Sequence, residues 1–430
     1  MIKKVLVTPF QKFVQIESFS GILLLIATIV ALIWANSPLS IYYTQLQEFK
    51  MGFTSDSFTL SKPLILWVND GLMAIFFFLI GLEIKREFLI GGLNSAKKIA
   101  FPLIGALGGV IIPVAFYLIL NNNPDTVRGW GVPMATDIAF SLAVLNALGK
   151  RVPLSLKLFL TAFAIVDDLA AVLVIAIFYS ANISLGLLGI ALGLLAFLYF
   201  LSYKGYYSKF MLVSLGIVIW VLFLKSGLHP TLAGVLLAFS VPVMQKIKTI
   251  TFIENLENIV SNIRQSPVLE EPILSKEQKS VIHNLEGWTK KYKSPLQNLE
   301  HKLHDWVGYL IIPVFALFNA GVAISGDMNL ETVLVVNIVV ALVLGKSIGV
   351  SSAVLFFKKI KLIQVPSDIT NRHIIGVSFL AGIGFTMAIF IASLAFADTP
   401  QYIDSAKIGV LLGSLLSAII GYIVLRIKSK

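Results

Sequence analysis

Two aspartates, Asp167 and Asp168, stand side by side in Leu160-Thr-Ala-Phe-Ala-Ile-Val-Asp-Asp-Leu-Ala-Ala-Val-Leu-Val-Ile-Ala, a stretch otherwise suited to hydrocarbon. A charged side chain at the centre of a bilayer costs roughly 2.5–3.5 kcal/mol on insertion scales. Two adjacent carboxylates there need a cation, a proton or a buried base that uses them, and the chemistry they suggest is ion transport. They fall about 14 residues into a helix starting near Pro153, which at ~1.5 Å per residue is ~21 Å from its inner end, close to mid-membrane. Neighbours on a helix point about 100° apart. One carboxylate can therefore reach a water-filled cavity while the other faces an adjacent helix.

Three more features place polar chemistry inside apolar runs. In Val132-Pro-Met-Ala-Thr-Asp-Ile-Ala-Phe, Pro133 removes a backbone donor and disfavours helix in the residue before it. Carbonyls freed near Thr136 could coordinate a cation beside Asp137. The alternative is that Pro133 only starts the span and Asp137 caps it. Lys346, in Ala341-Leu-Val-Leu-Gly-Lys-Ser-Ile-Gly-Val, either snorkels to an interface or pairs with a buried carboxylate and exchanges protons when a cation competes. In Leu380-Ala-Gly-Ile-Gly-Phe-Thr-Met, Gly382 and Gly384 either weaken a span near its middle or serve close helix packing. On the first reading, segments 131–148 and 373–397 are interrupted spans in different halves of the chain, a pattern that points to a transporter site.

Composition supplies the elements that must hold these residues. The chain is 57% hydrophobic and 13% charged, and its apolar runs approach the ~20 residues needed to cross a bilayer. The segmentation gives twelve spans, at about 16–36, 63–84, 99–120, 131–148, 154–179, 183–202, 208–224, 228–244, 303–323, 332–356, 373–397 and 405–425. With the N-terminus placed in the cytoplasm, 28 of the 34 Lys and Arg fall inside. Lys50, Lys62, Arg128, Lys225 and Lys407 fall outside, and Lys346 lies within a span. So uniform a bias supports twelve spans with both termini cytoplasmic. The net charge of +11 then reports topology and attraction to anionic lipid, not nucleic acid. With no cysteine, disulfide and thiol chemistry are excluded. The first residues, Met1-Ile-Lys-Lys-Val, carry no small-residue cleavage site, so the first span is expected to be retained.

Two connections are long. In the outer loop 37–62, Phe49, Met51 and Phe53 alternate before Thr54-Ser-Asp-Ser, and Phe58 and Leu60 alternate after it. This reads either as a β-hairpin, which would gain stability by pairing with another subunit, or as an irregular loop. In the cytoplasmic loop 245–302, Ile250, Ile253, Leu256, Ile259, Val260 and Ile263 recur at helical spacing. They mark an amphipathic helix lying on the membrane or on the protein. Pro267, Pro272 and Pro295 punctuate the loop, so no separate domain is expected there. Glu300, His301 and His304 share one turn at the start of span nine. They are either groups that titrate near neutral pH or ordinary interfacial residues.

These residues resemble the NhaA-type sodium/proton antiporters over nearly the whole chain. The motifs that carry the resemblance are Asn69-Asp-Gly-Leu-Met-Ala, Gly81-Leu-Glu-Ile-Lys-Arg-Glu, Ala135-Thr-Asp-Ile-Ala-Phe, Ala164-Ile-Val-Asp-Asp-Leu and Lys225-Ser-Gly-Leu-His-Pro-Thr-Leu-Ala-Gly, followed by Phe318-Asn-Ala-Gly, Gly345-Lys and Gly382-Ile-Gly-Phe-Thr-Met. Each is weak alone, and together in order they are specific. The resemblance implies an all-α polytopic fold of twelve transmembrane helices, with inverted repeats and two interrupted helices crossing at mid-membrane. It implies that Asp167 and Asp168 bind the transported Na⁺ and the proton, that Thr136 and Asp137 shape the site, and that Lys346 partners Asp167. It places a pH-responsive cluster at the cytoplasmic mouth, where Glu83, Lys85, Glu87, Glu300, His301 and His304 match, and it also matches His229. The connection before span nine is longer than in compact members.

The expected function is electrogenic, pH-regulated expulsion of Na⁺, and Li⁺, in exchange for H⁺. It requires no cofactor and is carried by a homodimer in the bacterial inner membrane. An intramembrane aspartyl protease would need acids on different helices, and no Gly-x-Gly-Asp occurs. A passive channel would use rings of acids. A carrier of organic anions would need more intramembrane cations than Lys346.

Overall fold

The computed structural model describes residues 9–54, 59–90, 96–180, 183–244, 247–265, 276–323 and 330–427. Residues 1–5, 55–58, Pro267 and Pro272, named above, lie outside them. The protein is built almost wholly of helices, as apolar segments must be when no water satisfies their backbone groups. Seven helices among the described residues are long and apolar enough to cross a membrane, and up to nine if each of two bent pairs is one span. The other expected spans coincide with shorter or broken elements. Span 131–148 is a 3₁₀ helix, Pro124–Met134, then extended chain, then the ten-residue helix Ile138–Ala147. Span 228–244 keeps nine helical residues, Thr231–Phe239. Span 303–323 begins inside the polar helix Pro295–Trp306 and continues through a π-turn into Ile312–Asn319.

The two breaks differ in kind. Asn371–Ala381 and Phe385–Ala395 meet at an angle of 43° across Gly382–Gly384. In the other segment the chain is extended at Ala135 and Asp137, with ψ of 148° and 105°. Three further spans each contain a one-turn π-helix, at Val68–Leu72, Val307–Ile311 and Ala341–Gly345. Such turns insert one extra residue and recur at functional sites. The third ends immediately before Lys346.

Leu154–Phe178, which carries the paired aspartates, starts directly after Pro153. It packs against Ala96–Leu120, the Met73–Leu89 helix, Ile138–Ala147 and Asn371–Ala381, so it is enclosed on several sides. Leu185–Tyr203 and Lys209–Ser226 are the least buried spans. The helix Lys346–Lys359 lies against Ala96–Leu120, with Gly349 facing Gly108 at backbone contact, the close approach that small residues permit in membranes.

The 37–62 connection holds a short helix, Ser40–Glu48, which sequence periodicity does not indicate, then antiparallel strands Lys50–Thr54 and Thr59–Pro63 with Met51 opposite Lys62 and Phe53 opposite Leu60. Phe49, Met51 and Phe53 are all exposed. The 245–302 loop holds more helix than one amphipathic segment. Thr249–Gln265 and Lys276–Tyr292 pack together, with Phe252 stacked on Tyr292 at 4.2 Å, and Pro295–Trp306 follows. This helical pair leaves and re-enters at nearly one point. The Ser294 hydroxyl donates to the Val243 carbonyl at 2.6 Å, and the Leu296 N–H donates to the Pro242 carbonyl at 3.2 Å.

Candidate functional site

Asp167 and Asp168 are both buried, and the helix sends them to different partners. Asp167 receives the Lys346 ammonium with both carboxylate oxygens at 3.0 Å. Lys346 is also fully buried; its third direction is taken by the carbonyl of Met134, and the Phe163 ring lies 5.7 Å away. Desolvating two ions costs several kcal/mol each, and only close geometry with further hydrogen bonds repays it. The Met134 carbonyl ends the Pro124–Met134 helix, so the ammonium also compensates the negative end of that helix. The lysine ammonium thus takes one of the carbonyls at the break.

Asp137 does the opposite job. Its Oδ1 accepts from Phe140 N at 3.0 Å, capping Ile138–Ala147, and its Oδ2 accepts from Thr386 N at 3.1 Å in the first turn of Phe385–Ala395. One carboxylate thus caps two helix N-termini, whose partial positive charges would otherwise meet in an apolar interior. The Thr386 hydroxyl donates to the same oxygen at 2.6 Å. The breaks are joined by further bonds: Thr136 Oγ1 to the Ala381 carbonyl at 2.8 Å, Ser141 Oγ to Leu380 at 2.9 Å, and Asp137 N to Ile383 at 2.7 Å. These meet the carbonyls that the interruption frees. Gly382 is needed at this junction because a Cβ there would run into the Leu342 carbonyl; at Gly384 it would come within 3.1 Å of the Ala135 carbonyl.

Asp168 is left without such partners. Its Oδ1 is buried and has no hydrogen-bond partner. Asp168 lines a cavity of about 30 Å³ that it shares with Thr136, Asp137, Thr386, Glu83 and His304, room for about one or two water-sized guests. An orphaned buried carboxylate oxygen costs more than the ~1–3 kcal/mol of a neutral group. A proton or a small hard cation, which prefers oxygen donors, would remove that cost.

The remaining candidates form two groups. At one end of the cavity Glu83 Oε1 lies 3.8 Å from His304 Nδ1, both buried. Next to them Arg86 pairs with Glu87 at 2.8 Å and with Glu300 at 3.2 Å. Burial, reinforced by Glu83 and Glu87 and opposed by Arg86 and His304, pushes the Glu300 carboxyl up from 4.5 to about 7. Lys85 instead donates to the carbonyls of Phe239 and Val241, each at 2.6 Å, and His301 is exposed. Neither is among the residues that line the cavity. His229 lies beyond the other end, with Nδ1 2.8 Å from Thr231 Oγ1, Nε2 4.0 Å from Asp70, and its ring 5.4 Å from Phe390. Lys62, from the second strand, bonds Asp70 at 2.8 Å.

Sequence reasoning named neither Arg86 nor Thr386 as site residues. Both stand in quoted motifs, and the signal that could have found them is the need of Glu300 and Asp137 for donors. The buried amide pair Asn69–Asn319, with reciprocal bonds of 3.1 and 2.8 Å, was also missed.

Comparison with known proteins places this arrangement. A family profile described as Na⁺/H⁺ antiporter 1 matches residues 11–425. The chain belongs to that family. Among its relatives, the Na(+)/H(+) antiporter NhaA of Oleidesulfovibrio alaskensis is 46% identical over 425 residues, covering 98% of this chain and 94% of that protein. The NhaA 1 of Saccharophagus degradans is 42% identical, covering 97% and 91%, and the NhaA of Bacteroides thetaiotaomicron is 43% identical, covering 97% of each. As a member of the Na⁺/H⁺ antiporter 1 family the chain is a multi-pass membrane transporter rather than an enzyme, and Na⁺ and H⁺ are its implied ions.

Proposed function

We propose that the protein expels Na⁺, and Li⁺, across the bacterial inner membrane in exchange for protons, with Asp168 and Asp167 as the shared cation and proton site. The observation that carries this reading is the contrast between the two neighbours: both oxygens of Asp167 are bonded by Lys346, while Asp168 keeps a buried, partnerless oxygen and lines a cavity with Thr136, Asp137 and Thr386. In the proposed cycle Asp168 loses its proton to the cytoplasm and accepts Na⁺, and Asp167 releases Lys346 to share the ion. The loaded site turns outward, Na⁺ leaves, and protons reload the carboxylates. Thr136 and Asp137 shape the site where the two interrupted helices cross at mid-membrane, a crossing supported by the bonds joining residues 136–141 to 380–386.

The proposed frame is twelve spans in inverted repeats, with both termini cytoplasmic, supported by the distribution of Lys and Arg. It sets the Glu83–His304 end of the cavity inside and the β-hairpin outside. If more protons enter than sodium ions leave, the exchange is electrogenic, and each net charge gains ~2.3 kcal/mol per 100 mV. The pH response is assigned to the Glu83, Lys85, Glu87, Glu300, His301 and His304 cluster and to His229; Glu300, held near 7 by burial, supports it most directly. The homodimer would form around the β-hairpin, whose exposed Phe49, Met51 and Phe53 support that assignment, and anionic lipid would meet the basic cytoplasmic surface.

The test is Na⁺-dependent proton flux in proteoliposomes, with Li⁺ and K⁺ compared across a pH series. Asp168→Asn is expected to abolish exchange while the protein inserts normally. Wild-type rate and affinity in that variant would sink the assignment.

A further inference from the structure

Thr386 is buried and lines the Asp168 cavity. It also lines a second, smaller cavity of about 10 Å³ with Met73, Phe76, Ile312, Phe315 and Met387. The two cavities share Phe76, Ile312, Thr386 and Met387. The second is displaced along the Leu64–Leu89 span, from Glu83 towards Met73, and so towards the end where the β-hairpin joins. Thr386 carries the one hydroxyl or charged group in the lining of that second cavity.

The bonding of this hydroxyl leaves its oxygen available. Its proton is committed to Asp137 Oδ2 at 2.6 Å, while the backbone N–H of the same residue already caps that oxygen at 3.1 Å. Capping of Phe385–Ala395 by Asp137 is thus served without the hydroxyl. A hydroxyl that donates its proton keeps acceptor capacity on the oxygen. Asp137 also offsets the positive helix end beside it, which would otherwise repel a cation. The β-branched side chain holds the oxygen in few rotamers.

We infer that the Thr386 hydroxyl oxygen is a ligand of the transported cation, placed where the Asp168 cavity passes into the apolar route towards the β-hairpin side. This rests on the proposed Asp168 cation site. The cation binds between the Asp168 carboxylate and the threonine oxygen, with the hydroxyl proton remaining on Asp137. Onward movement then takes the ion past Thr386, the last hard ligand before Met73 and Phe315.

The test uses the full chain in proteoliposomes, measuring KM for Na⁺ and Li⁺, maximal rate and pH midpoint for wild type, Thr386→Ser, Thr386→Val and Asp168→Asn. Thr386→Val keeps shape and removes the ligand, so KM for Na⁺ should rise roughly tenfold or more, as loss of a bond to a charged partner implies. Maximal rate and pH midpoint should hold, and Thr386→Ser should stay within about twofold of wild type, since the serine hydroxyl offers the same contact. Thr386→Ala, smaller than either, gives the same readout should the valine variant fail to insert. An unchanged KM in the valine or alanine variant overturns the inference. So does a shift of maximal rate and pH midpoint together with KM, which would mean that Thr386 acts through Asp137 alone, or a serine variant as impaired as the valine one. Inactive Asp168→Asn beside unaffected Thr386→Val removes only the threonine; active Asp168→Asn removes the cation site beneath it.

Discussion

Lys346 and Asp167 form a fully buried pair with both oxygens engaged. Removing one partner of such a pair typically costs ~3–5 kcal/mol, because the other charge stays buried alone. Lys346→Ala should therefore lower the melting midpoint by several degrees in detergent. The double replacement Asp167→Asn with Lys346→Met should recover most of it, since paired removal is often near neutral. If the double variant is as unstable as the single, the ion pair is not the source. Glu300 makes the opposite case, an acid that holds its proton. Its affinity in the folded chain lies above its ordinary 4.5, at about 7. This group's contribution to stability is complete below about pH 4.5 and is lost as pH rises through about 7. Glu300→Gln should flatten that pH dependence of melting; the same slope in both proteins would count against the assignment. That Asp167 and Asp168 must diverge was legible from helix geometry. The use of Thr386 and Arg86 was not, because a threonine or arginine in an apolar motif shows its partner only once distant segments meet.

The interrupted elements were legible where breaking chemistry was local. Pro133 and the Gly382–Gly384 pair announce both breaks in the sequence; the structure interrupts helix just after Pro133, at Ala135–Asp137, and at Gly382–Gly384. The π-turns were not legible, because one inserted residue leaves apolar composition unchanged. The short helix Ser40–Glu48 was likewise hidden by the alternation that follows it. At the junction, a Cβ on residue 382 would collide with the Leu342 carbonyl, which cannot swing aside as a side chain can. Gly382→Ala is expected to cost about 1–3 kcal/mol and to reduce maximal rate, since Leu342 belongs to the π-turn that leads into Lys346. Wild-type melting and rate would show that the junction yields more easily than its geometry suggests.

At the scale of the whole molecule, charge asymmetry along the sequence spoke for twelve crossings, while helix length among the described residues identifies seven, or up to nine if each bent pair is one span. The difference lies in segments such as Thr231–Phe239 and Ile138–Ala147, which protein neighbours surround and which need not be long continuous apolar helices. The joint at Val243 and Ser294 has a separate consequence. Because those residues are already held 2.6 Å apart by a side-chain bond, the roughly fifty residues between them form a graft on a closed stem. Replacing 247–292 with a short Gly-Ser linker should leave Na⁺-dependent proton flux within about twofold of wild type, the ends needing little further loop closure. Loss of flux would mean that the helical pair contributes to the cycle itself. If flux persists, evolution has had a position at which to add, lengthen or exchange an appendage without reopening the membrane body.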